Sequence, residues 1–157
     1  MRRAGIGVWF VLLAAMVIAQ TSTPPQLSSY EGKWQATFQG QPFFVVTLKQ
    51  SGGKLTGTIQ HTRDIHVDKK GVVDKVEPDM SEEQIVDTKL VLDHLRITGK
   101  NSDTQDENVY DLRLEPEAHP KTHETIYNSG TLQFAKTELP PDVPAIQPWK
   151  VTRVAVK

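Results

Sequence analysis

Five histidines are the residues of this chain best suited to metal or acid–base chemistry, and no cysteine stands beside them. His61, Asp64, His66 and Asp68 lie close together in the sequence. On an extended chain Asp64, His66 and Asp68 face the same way, and imidazoles with carboxylates form a donor set that suits Zn²⁺. The plainer reading is a solvated loop, and no metal is expected. His119 and His123 stand at a helical i, i+4 spacing, but Pro120 between them argues against a helix interior. The general base of a His-Glu-x-x-His site is also missing. No Gly-x-Ser-x-Gly encloses a serine, and Ser129 has glycine on one side only. No glycine-rich loop opens a helix to cradle phosphate. The runs Asp68-Lys69-Lys70 and Glu82-Glu83 read as surface charge. Neither a catalytic residue nor a cofactor is expected, so the protein is taken as non-enzymatic.

The elements that would position any site are short strands. From Tyr30 to His61 the pattern is a β-meander. Trp34, Ala36 and Phe38 alternate with polar neighbours, as a half-buried strand requires. Gly40-Gln41-Pro42 is a turn. In Phe43 to Lys49 one face carries Phe44, Val46 and Leu48, the other Phe43, Val45 and Thr47, so the strand is central, curved or covered on its outer side. Gln50-Ser51-Gly52-Gly53 is a hairpin signal. It leads to a third strand with Leu55, Gly57 and Ile59 inward, where Gly57 marks a bend or a close approach. Residues 62–83 form a charged excursion with a minor hairpin about Lys69-Lys70-Gly71. Ser81 to Gln84 matches a helix capping box, but the β-branched residues beyond it favour a strand. Strands then follow over 84–91, 95–100, 109–114, 124–127, 131–137 and 149–156. A turn is expected at Asn128-Ser129-Gly130, a loop over 115–122 and irregular chain over 139–148. Such a series with little helix predicts an all-β fold, an antiparallel up-and-down meander forming a closed or nearly closed barrel.

A chain of 157 residues suits one domain. Met1-Arg2-Arg3 followed by apolar Ala4 to Ala19 reads as a signal peptide over 1–19, cut before Gln20. The run is shorter than a spanning helix needs, so no membrane attachment is expected after cleavage. Residues 20–29, with Pro24-Pro25, read as a linker, leaving 30–157 as the barrel domain. Export without cysteine suits a bacterial periplasm better than an oxidising eukaryotic exterior, with an extracellular destination left open. The whole chain carries a formal charge of −1, and losing Arg2 and Arg3 makes the remainder more acidic. Nucleic acid is therefore excluded as a partner, since phosphate neutralisation needs clustered cations.

Gly32-Lys33-Trp34 at the entry to the first strand, and Arg153 in the last, give the chain a resemblance to the calycins, the lipocalin and fatty-acid-binding-protein group. The resemblance implies an indole plugging one end of a barrel, with a late cation laid across its face and the first and last strands adjacent. The spacing of Asp106 to Tyr110 is similar to a second lipocalin signature, without its Thr-Asp start. The carboxy-terminal helix of lipocalins has no counterpart here. Gly52-Gly53-Lys54-Leu55-Thr56-Gly57-Thr58 also resembles small exported bacterial β-proteins, a likeness that implies no activity.

Two functions follow from a monomeric barrel of this kind. Phe38, Phe44, Val46, Leu48, Leu55, Leu112 and Phe134, together with Ile59 and Leu132, either line a cavity for a small apolar ligand or fill the core. In the second case the protein is a structural or protein-interaction module. An exposed apolar patch on the Phe43/Val45 face or on the excursion would then take a protein partner. Trp34 and Arg153 are assigned structural roles.

Overall fold

The computed structural model describes residues 24–135 and 145–155. The expected signal segment, the start of the linker and most of the proline-rich stretch before Trp149 lie outside these residues. A short helix, α1 (Leu27–Tyr30), leads into ten strands: β1 (Gly32–Phe38), β2 (Gln41–Ser51), β3 (Lys54–Thr62), β4 (Ile65–Val67), β5 (Val73–Val76), β6 (Met80–Val91), β7 (His94–Asn101), β8 (Glu107–Ala118), β9 (Thr125–Phe134) and β10 (Trp149–Arg153). Eight of them close an antiparallel up-and-down barrel in the order β1-β10-β9-β8-β7-β6-β3-β2. β4 and β5 form a separate hairpin inserted between β3 and β6. Closure satisfies both edges of every barrel strand, which an open sheet of this size would leave exposed.

Alternation along each strand selects the interior. Leu55 and Ile59 from β3, Leu95 and Ile97 from β7, and Tyr110, Leu112 and Leu114 from β8 are all buried. β2 departs from strict alternation, because its pairing with β1 skips a residue between Pro42 and Phe44. That bulge lets Phe43 and Phe44 both pack against Trp149, with ring centroids 5.2 Å away in each case. Gly57 is required by a close approach: its φ is +152°, and a Cβ there would meet the Thr47 carbonyl oxygen at 1.8 Å.

One end of the barrel is plugged. Trp34 on β1 stands opposite Arg153 on β10. The guanidinium lies 4.6 Å from the centre of the buried indole. Trp34 Nε1 donates to the Tyr30 carbonyl at 2.8 Å, and Arg153 Nη2 donates to the Ser29 carbonyl. Helix α1 thus closes this end through its own backbone.

Several expected boundaries shift. Leu27 to Ser29, expected within the linker, belong to α1. The capping-box sequence at Ser81 is extended strand, because Met80 to Gln84 pair with Thr58 to Thr62. Residues 80–83, expected within the excursion, therefore belong to the barrel wall. Glu115 to Ala118, expected as loop, continue β8, with a pairing irregularity between Glu115 and Glu117 accommodating Pro116. Asn128-Ser129-Gly130 is not a turn but the middle of continuous β9, where Gly130 leaves space for the Arg113 carbonyl. The Phe43/Val45 face is buried and offers no patch.

Candidate functional site

Period two places the important residues. In β3 the phase that buries Leu55 and Ile59 continues to His61, near the end opposite the Trp34 plug. In β6 the interior phase falls on Glu83, and in β8 on Asn108 and Tyr110. Glu83 is 0% exposed, the one charged residue in the barrel wall buried so completely among the described residues. Burying a carboxylate costs heavily unless its oxygens are paired. Here three donors converge on it. His61 Nε2 lies 3.1 Å from Glu83 Oε1, Asn108 Nδ2 donates at 2.6 Å, and the Tyr110 hydroxyl lies 3.1 and 3.2 Å from the two oxygens. Gly99 on β7 makes the room, since a Cβ there would stand 2.1 Å from Glu83 Oε2.

The surroundings fix the protonation of two of these partners. Burial first, then the charge of Glu83 and its hydrogen bond, pushes the Tyr110 hydroxyl well above the ordinary tyrosine range, so it stays a donor. Burial acts to lower the His61 pKa. The hydrogen bond to Glu83, the Thr62 carbonyl and the Glu83 charge together outweigh it, and the net shift is upward. Beneath the cluster lies an aromatic layer: Phe44 stacks on His61 at 5.9 Å and meets Tyr110 at 5.1 Å, which in turn meets Phe134 at 5.1 Å.

Above the cluster opens a recess of about 420 Å³ lined by His61, Arg63, Ser81, Glu83, Asn101, Thr104, Asp106 and Asn108. Every lining side chain is polar. Several of their atoms are already committed, and these orient the remainder. Asn101 Nδ2 donates to Ser81 Oγ at 2.8 Å, leaving the serine proton free to be donated. Asn108 commits its amide nitrogen to Glu83, so its Oδ1 is available as an acceptor. Arg63 approaches Asp103 only to 3.8 Å, in a pair that is largely exposed.

The sequence candidates fall elsewhere. Phe44, Val46, Leu48, Leu55 and Leu112 are buried in the core, while Phe38 and Phe134 are partly buried at its margin. Asp68 Oδ1 accepts the backbone N–H groups of Lys70 and Val72, holding the β4–β5 turn. His66 lies 4.0 Å from Glu77 on that hairpin, and Asp64 lends its carbonyl to Glu77. His61 is separated from them by its commitment to Glu83. Among the described residues no group of three or more His, Cys, Asp or Glu could hold a metal ion. His119 Nδ1 accepts the Lys121 and Thr122 amides in the β8–β9 turn, and His123 donates its amide to the His119 carbonyl. His94 sits on the outer face, 3.3 Å from Asp93 and 3.5 Å from Asp111. The Asp111 carboxylate is held there by Arg96 at 2.9 and 3.1 Å.

The reading of Glu82-Glu83 as surface charge is half wrong: Glu82 is exposed and meets Gln60, whereas Glu83 is the buried centre of the cluster. Gly99 in mid-strand and the interior phase of His61 are the sequence features that could have pointed to it. Comparisons of the chain with protein-family models, with curated proteins and with solved structures found no match.

Proposed function

We propose that this is an exported, monomeric, non-enzymatic binding protein of calycin-like kinship, whose ligand enters the polar recess at the His61 end. The ligand is a compact, uncharged molecule rich in hydroxyl or amide groups, such as a saccharide unit. One observation carries this reading: a recess of about 420 Å³ in which all eight lining side chains are polar, a volume within the range of small-molecule sites. Charge balance supports the absence of net ligand charge. His61 and Arg63 face Glu83 and Asp106 in the same lining. The amino-terminal basic and apolar run supports export, with a bacterial periplasm favoured.

The test is backbone amide shift mapping of the protein titrated with N-acetylglucosamine and, separately, with oleate. The reading expects saccharide shifts at Ser81, Asn101, Thr104 and Asn108. Oleate shifts at Val46, Leu48 and Leu112 would return the site to the apolar interior.

A second reading, a module that docks a protein, is favoured by a groove of about 230 Å³ between the β4–β5 hairpin and the barrel. Phe38, Val72, Val73 and Trp149 line it, and Val72 is 51% exposed. Substituting Val72→Asp leaves saccharide binding intact under the first reading and abolishes partner binding under the second.

A further inference from the structure

A neutral imidazole carries one N–H, yet both ring nitrogens of His61 face acceptors. Nδ1 lies 2.8 Å from the Thr62 carbonyl, and Nε2 lies 3.1 Å from Glu83 Oε1. Only the doubly protonated ring donates to both. We infer that the recess is regulated by the protonation of His61: the imidazolium ties β3 to β6 and holds the recess open, and loss of its proton swings the ring into the recess. This deepens the binding reading above and rests on it for the ligand.

The direction of the swing follows from what is fixed. Glu83 is fully buried, held by Asn108 and Tyr110 of β8, and seated in the space that Gly99 of β7 leaves. Its carboxylate is anchored by hydrogen bonds from Asn108 and Tyr110. Whichever ring nitrogen gives up its proton then turns a lone pair toward an acceptor, the Thr62 carbonyl or the Glu83 carboxylate, and His61, half-buried at the recess wall, is the partner that moves. The groups around the ring are few. β2 presents Phe44, β6 presents Glu83, β8 presents Tyr110 and Asn108, and the recess adds Arg63 and Asp106. Glu83 is the charge in hydrogen-bond contact with the ring. The upward shift of the His61 pKa has the same origin.

The experiment is a long-range ¹H–¹⁵N titration of the imidazole in the ligand-free protein, with Glu83→Gln alongside. Both His61 nitrogens should carry protons at about pH 6, with a midpoint above the ordinary value of about 6.5. The Thr62, Ser81 and Asn108 amides should shift with that midpoint, and Glu83→Gln should lower it. A wild-type midpoint at or below about 6.5 overturns the inference, and this arm needs no variant to fold. With N-acetylglucosamine as probe, affinity one pH unit above the midpoint should be roughly tenfold weaker than one unit below, because the competent fraction falls by that factor. Probe affinity unchanged across a titrating His61 overturns the regulation. Absence of probe binding at every pH overturns the binding reading and the regulation with it, while the ligand-free titration still judges the pair.

Discussion

The two ends of this barrel solve the problem of closure by opposite means. At the α1 end, Trp34 fills the cross-section with apolar surface, and its single N–H is satisfied by a backbone carbonyl at 2.8 Å. At the hairpin end, the interior positions of β3, β6 and β8 carry His61, Glu83, Asn108 and Tyr110, a charged network that a hydrophobic core of the same volume would match or exceed in stability. The first end behaves as packing. The second retains polar groups at an energetic cost, and it is the end with an open recess. That contrast is the reason the binding site is proposed at the hairpin end.

The largest effects should come from breaking either end. Trp34→Ala removes a fully buried indole and should cost about 3–5 kcal/mol in urea unfolding, through lost contacts and the cavity left behind. Glu83→Ala strands the His61 imidazolium, the Tyr110 hydroxyl and the Asn108 amide, and should cost a similar 3–5 kcal/mol or so. The two ends then separate in a double substitution. Replacing His61 and Glu83 together by leucine should recover part of that loss, since an apolar pair leaves less unpaired than half a polar one. Equal loss in single and double variants would mean that the pair itself stabilises the fold.

Smaller effects sharpen the contrast. Gly99→Ala forces a Cβ against Glu83 Oε2 and should cost about 1–3 kcal/mol, the usual range for overpacking. In the Glu83→Ala background the same substitution should cost far less. Arg153→Met keeps the apolar stem over Trp34 but removes the cation and its bond to the Ser29 carbonyl. Its loss should be about 0.5–2 kcal/mol, the size of a cation–π contact, without any change at the recess.

How far the sequence reveals this depends on the end considered. Gly32-Lys33-Trp34 and Arg153 pointed to the plug, because a glycine just before a large indole and a cation in the last strand are visible in the residue types alone. Arg153 and Trp34 do meet across β1 and β10. The meander and its hairpins were legible from alternation and from Gly52-Gly53. The recess was not, because it is built from β3, β6, β7 and β8 and the loops beside them, and each contributes one or two polar residues that look ordinary among their neighbours. Glu83 beside Glu82 reads as a solvated pair until β6 is registered against β3, which places Ile59 opposite Glu83 and His61 opposite Ser81. The expected turn at Asn128-Ser129-Gly130 failed for a related reason. Gly130 serves a close backbone approach between β8 and β9, and turn residues do not announce which of these roles they fill.

The contrast between the ends has a pH signature that one measurement can read. His61 has a folded-state pKa raised above its unfolded value of 6.5. The stability it contributes is therefore fully present below about pH 6.5 and lost as pH rises through the folded midpoint. Urea unfolding of the wild-type protein, Trp34→Ala and Glu83→Gln, followed from about pH 5.5 to 8.5, compares the ends directly. Stability should fall with rising pH in wild type and in parallel in Trp34→Ala, and that fall should be absent in Glu83→Gln. Parallel pH profiles for all three proteins would contradict the account, because the titrating element would then lie outside the His61–Glu83 pair.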